Sequence, residues 1–192
     1  HKHEDEFQIW YEMSNGNSSS VSRKTQDARA MAFIAPSVTP LSNVNPSLRV
    51  YEVDPETYEV MDYEQYYTQL YGVDKLNGTR PSWNLLYTAR DAYANFSASQ
   101  AKGTYAAPVQ LDDGVWPKGA PLNASFWAAL TDEMEARPEL IEMHQLYQGR
   151  NSPRSPACDT EECQKAKLCY MRSASSNLGR HCPSGFGSVQ SF

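Results

Sequence analysis

Strand-type apolar patterning fills this chain up to about residue 80, and helix-type patterning fills the rest. That order limits the fold to an α+β arrangement with the strands first. EFQIWY (6–11) mixes aromatic and β-branched residues as strands do. A polar Ser/Asn/Gly-rich stretch (13–29) reads as a surface loop. AMAFIAP (30–36) is a continuous apolar run closed by proline, the pattern of a strand buried on both faces, and it is expected to pair with the first. LRVYEVD (48–54) alternates as a third strand, and YEVMDYEQYYTQLY begins as a fourth beyond the Asp54-Pro55-Glu56 turn. Ser82 then precedes WNLLYTARDAYANF, where Trp83, Leu86, Tyr87, Arg90 and Tyr93 recur at spacings of three and four and predict a serine-capped helix. Asn123 heads a second helix, ASFWAALTDEMEA, which Pro138 separates from ELIEMHQLYQ. The segment TEECQKAKLCYMRSA is the last helix, and residues 184–192 read as a disordered tail. Strands this few are too small a set to be stable alone, so partner strands are expected upstream.

A net charge of −6 leaves no basic stripe to neutralise phosphates, which argues against nucleic acid and against strong docking on anionic membrane. No apolar run approaches the roughly 18 residues that a membrane-spanning helix needs. The cysteines Cys158, Cys163, Cys169 and Cys182 all lie in the last fifth, spaced x4, x5 and x12, without the C-x2-C pairs of a zinc site. They read as two structural bridges. Three pairings are open, of which Cys158–Cys163 with Cys169–Cys182 closes the shortest loops. Asn17, Asn77, Asn95 and Asn123 each begin an N-glycosylation sequon. Sequons and paired cysteines together point to an oxidising, secretory setting. No signal peptide heads the chain, so the expectation is the carboxy-terminal part of a longer secreted, lysosomal or vacuolar protein.

The chain opens HKHEDEF. In an extended segment, His1 and His3 point to one side with alpha carbons roughly 6–7 Å apart. Metals in a binuclear hydrolase sit about 3.5–4 Å apart, so such a pair gives one imidazole to each metal or both to a single ion. The bland alternative is an exposed polar terminus. Against it, EDEFQIWY joins the histidines directly to a strand, where metal ligands are commonly placed. The run Glu4, Asp5, Glu6 reads as solvated, and His144 as a packed or surface histidine. His181 carries no recognisable role. Asn45 and Arg49 read as structural, an Asn-Pro turn followed by a strand-capping charge. There is no Gly-rich phosphate loop, no G-x-S-x-G elbow and no Ser/His/Asp set.

Taken in order, HKHEDEF, FIAPSVTP, NPSLRVYEVDP, PSWNLLYTARDAY and the final cysteine spacings resemble the acid sphingomyelinases and acid sphingomyelinase-like phosphodiesterases. These are calcineurin-like metallophosphoesterases, and HKH matches the end of their G-H-x-H motif. The resemblance implies that residues 1–80 are the last strands of an α/β/β/α catalytic sandwich and residues 81–183 a mostly helical, disulfide-stapled domain. It implies two zinc ions per intact enzyme, with His1 and His3 each ligating a different one. The other ligands and the acid/base groups then lie upstream, so no catalytic residue is expected here and the isolated chain is expected to be inactive. The implied reaction is hydrolysis of sphingomyelin to ceramide and phosphocholine at a peripherally contacted membrane surface, by an enzyme that needs the upstream catalytic sequence. One alternative is a phosphodiesterase acting on nucleotides or other soluble phosphoesters. Another is a non-catalytic binding or structural module. Ser47-Leu48 departs from the family's glycine-aromatic pair, and the first cysteine gap is one residue longer than the x3 expected.

Overall fold

The computed structural model describes residues 4–12, 23–40, 43–70, 81–96, 109 and 111–189. Strands β1 (Glu6–Tyr11) and β2 (Ala28–Ile34) form an antiparallel ribbon, with Phe7 opposite Phe33 and Ile9 opposite Met31. Phe7, Ile9 and Tyr11 alternate into the core while Trp10 faces out. β2 is not buried on both faces as its apolar run suggested: Arg29 and Ala30 are exposed, and Met31 to Ile34 are half-buried. A two-stranded ribbon has only one face to turn inward, and most of β2's outward positions carry alanine, too small to need cover.

A second antiparallel sheet has the order β3 (Ser47–Val53), β4 (Val60–Tyr67), β5 (Asn84–Thr88). Asp54 closes the β3–β4 hairpin, its Oδ1 accepting from the backbone N–H groups of Glu56 and Thr57 at 2.8 Å each. β5 replaces the serine-capped helix expected from residue 83. Only α1 (Ala89–Tyr93), a single turn capped by the Thr88 hydroxyl, is helical in that stretch. The edge of β4 offers a hydrogen-bonding ladder, and Tyr87 gains an aromatic core by alternation while Leu85 faces out. Pairing in three dimensions overrides the local spacing.

The longer helices begin where the sequence says. Asn123 Oδ1 accepts from the N–H groups of Ser125 and Phe126, at 3.0 and 3.3 Å, and starts α2 (Ala124–Ala136). Pro138 separates it from α3 (Glu139–Gln148). Thr160 caps α4 (Glu161–Met171), and Ser175 caps the short α5 (Ser176–Gly179). α2 is apolar nearly all round, with Phe126, Trp127, Leu130 and Met134 buried, because β1, β2, α3 and α4 surround it. Trp127 lies 4.4 Å from Phe7 between ring centroids and stacks on Tyr63 at 6.2 Å, joining both sheets to the helices. Strands before residue 80 and helices after it therefore share one apolar core.

Cys158–Cys163 ties the loop after α3 to α4, and Cys169–Cys182 ties α4 to the segment after α5, the short-loop pairing. Of the stretch read as a loose tail, residues 184–189 are described, and Val189 is buried. No helix among the described residues is long and apolar enough to cross a membrane.

Candidate functional site

His1 and His3 lie outside the described residues; the segment that follows them is described in full. Glu4, Asp5 and Glu6 were expected to be solvated. They are instead 0 %, 2 % and 8 % exposed. Burying three consecutive carboxylates is costly unless each finds donors, and each does.

Asp5 forms an ion pair with Arg49 on β3, their side chains 3 % and 1 % exposed, and its second oxygen accepts from the Tyr87 hydroxyl on β5. Arg49 Nε donates to Gln65 Oε1 at 2.9 Å, and its guanidinium lies 3.9 Å from the centre of the Tyr63 ring. Burial alone would lower the arginine's pKa, but the Asp5 carboxylate holds it well above the usual value. Tyr63 and Tyr87 share a hydrogen bond at 3.1 Å, and burial pushes both phenols up, so they act as neutral donors. Arg49 is thus the centre of a buried network rather than a strand cap.

Glu4 and Glu6 turn toward α3. Gln148 Nε2 donates to Glu4 Oε2 at 2.8 Å and to Glu6 Oε1 at 3.1 Å, and Gln148 Oε1 accepts from Lys167 Nζ at 2.6 Å. The Ser188 hydroxyl and the Val189 N–H also donate to the Glu4 carboxylate. Asn45 is structural as expected: its amide donates to the Arg150 carbonyl at 2.9 Å and accepts from the Leu70 N–H at 2.9 Å. His144 is packed, 3.1 Å from the Tyr93 hydroxyl, and burial lowers its pKa to about 4. His181 is exposed.

Consecutive alpha carbons are 3.8 Å apart, so anchoring Glu4 fixes the point from which His3 departs. Zinc suits imidazole in kind, but it takes three or four protein ligands. Among the described residues no three His, Cys, Asp or Glu side chains gather to hold a metal. Sequence reasoning missed Tyr87, Gln148 and Lys167 as parts of this site; only the in-phase placement of Arg49 with Tyr51 on β3 hinted at an inward charge.

No family model matches the chain. It is 28 % identical over 185 residues to sphingomyelin phosphodiesterase 1 of Caenorhabditis elegans, covering 95 % of this chain and 26 % of that protein. It is 28 % identical over 186 residues to sphingomyelin phosphodiesterase of Homo sapiens, covering 95 % and 24 %. The chain is a homologue of the sphingomyelin phosphodiesterases. It spans about a quarter of the length of these relatives. A shorter stretch of 85 residues, 41 % of the chain, is 37 % identical to the cyclic GMP-AMP phosphodiesterase SMPDL3A of Bos taurus, of which it covers 18 %. All three relatives carry the names of phosphoric diester hydrolases.

Within this sphingomyelinase homologue, Asn95 is exposed and Asn123 half-buried at its helix cap, while Asn17 and Asn77 lie outside the described residues.

Proposed function

We propose that this chain is the carboxy-terminal part of a secreted or lysosomal, zinc-dependent phosphodiesterase whose substrate is sphingomyelin. The observation that carries the reading is homology along 95 % of the chain to sphingomyelin phosphodiesterases about four times as long. In this reading residues 1–80 complete a metallophosphoesterase sandwich, and the helices pack beside it. His1 and His3 contribute two of the ligands, and Glu4, Asp5 and Glu6 hold the strand that carries them. The remaining ligands and the general acid belong to the rest of the longer protein. When bound, a pair of zinc ions supplies positive charge for the phosphodiester and a more acidic water.

A second reading keeps the reaction and changes the substrate. The 37 % identical stretch shared with a cyclic GMP-AMP phosphodiesterase favours a soluble nucleotide diester. Assaying the full-length protein on sphingomyelin in detergent micelles and on a cyclic dinucleotide separates the two. Release of phosphocholine with no dinucleotide cleavage is expected, and the opposite result selects the second reading. Hydrolysis of neither, by protein loaded with zinc, would remove both and leave a binding module.

A further inference from the structure

We infer that Asn95 carries an N-linked glycan and that its first sugar rests over a depression beside it, so that the modification is part of the fold's stability. Asn95-Phe96-Ser97 is an acceptor sequon. Asn95 is exposed, whereas Asn123 is half-buried with its Oδ1 committed to capping α2.

The backbone under Asn95 is fixed. Asn95 forms an antiparallel bridge with Val115; the Phe96 N–H donates to the Gly114 carbonyl at 2.8 Å and the Trp116 N–H to the Ala94 carbonyl at 2.8 Å. Beneath the bridge, Phe96 and Trp116 are buried with ring centroids 6.2 Å apart. Gly114 completes the turn at φ 81°, and a Cβ there would meet the Phe96 carbonyl oxygen at 2.7 Å. An asparagine on such a platform has a fixed Cα–Cβ direction, which narrows the sweep of an attached group.

Next to it lies a depression of about 250 Å³, lined by Arg90, Asp91, Ala94, Val115, Trp116 and Lys118. Val115, 39 % exposed, gives it an apolar wall, while Asp91 and Lys118 place opposite charges at its margin. A pyranose offers the matching chemistry. Its C–H face covers apolar surface, and its hydroxyls donate to carboxylate and accept from ammonium.

The donor is an oligosaccharide linked to a lipid pyrophosphate. The Asn95 Nδ2 forms a bond to the anomeric carbon, the bond from that carbon to the pyrophosphate oxygen breaks, and the amide gives up one proton. The lipid pyrophosphate leaves. This transfer takes place in an oxidising lumen, which the two disulfides suit. The inference does not depend on the phosphodiesterase reading.

The test uses protein secreted from a glycosylating host. Peptide mapping after enzymatic deglycosylation in heavy-oxygen water should convert Asn95 to labelled aspartate. N95Q and S97A should each lose one glycan by intact mass, and each should lower the melting temperature by about 2 °C or more. S97A keeps Asn95 and N95Q keeps Ser97, so equal losses assign the effect to the sugar. An unlabelled Asn95 peptide from the unaltered protein overturns the site. Unchanged melting in both variants, or a drop confined to one of them, overturns the packing role.

Discussion

Asp5 and Arg49 meet where neither reaches water, and that fixes how each responds to substitution. Breaking a buried pair from one side leaves the other charge stranded, at a cost of about 3–5 kcal/mol. Asp5→Asn and Arg49→Met should each destabilise the chain by that order, measured by urea denaturation. The double variant should cost clearly less than the two summed, because no charge is left behind. Additive losses would mean that the pair is not coupled. His144 gives a second reading at the same scale. Its pKa falls from 6.5 to about 4 on folding, chiefly because burial disfavours the cation. The folded state thus binds fewer protons than the unfolded one between these values. The histidine's share of stability is complete above pH 6.5 and is lost as pH falls toward 4, about 3 kcal/mol in all. Phe7 and Tyr93 crowd the ring, while Asp5 partly opposes the shift and Lys167 and Arg49 reinforce it. His144→Gln should flatten the melting temperature between pH 4 and 6.5 relative to the unaltered chain. An undiminished slope would place the titration on another group.

Elements with local signals were legible before any coordinates. Asn123 announced α2, Pro138 its break from α3, and the aromatic and β-branched mix of EFQIWY announced β1, since a cap, a break or a strand-type composition is written in adjacent positions. β5 was not legible. WNLLYTARDAYANF satisfies helical spacing, and only the edge of β4 turns it into a strand. The buried carboxylates failed for the same reason at longer range: the partners of Glu4, Asp5 and Glu6 lie between 44 and 185 residues away. Nothing beside a Glu-Asp-Glu run distinguishes a solvated one from one whose donors arrive later in the chain. The disulfides carry their own element-scale expectation. Closing the loop from Cys169 to Cys182, a sequence separation of 13, should contribute about 3 kcal/mol, and the tighter Cys158–Cys163 loop about 2 kcal/mol. Replacing each pair by serine and comparing denaturation midpoints checks the order. A larger loss at Cys158–Cys163 would show that loop length does not govern it.

At the scale of the molecule, the first described residue and the last buried one are held together. Glu4 accepts from Ser188 and Val189, and Gly187 fits against the Tyr170 ring, where an added Cβ would come within 3.2 Å. The carboxy-terminal segment is therefore part of the wall around the strand that leads from His1 and His3. Ending the chain after Phe186 removes a buried valine, worth about 1.5 kcal/mol of apolar burial, and two donors from a carboxylate that stays enclosed. The expected result is a stability loss of about 2–4 kcal/mol together with faster amide exchange in β1. Loss of stability without faster exchange in β1 would mean that the tail stabilises some other part of the core. Under the proposed function, the same geometry bears on activity in a longer protein. His1→Ala or His3→Ala should abolish most diester turnover and lower the zinc content below two per molecule by elemental analysis. The truncation, which keeps His1 and His3 but removes the donors to Glu4, should weaken zinc retention less than either substitution does. If truncation matched the ligand substitutions in zinc content, the tail would act on zinc retention more directly than through its hydrogen bonds to Glu4.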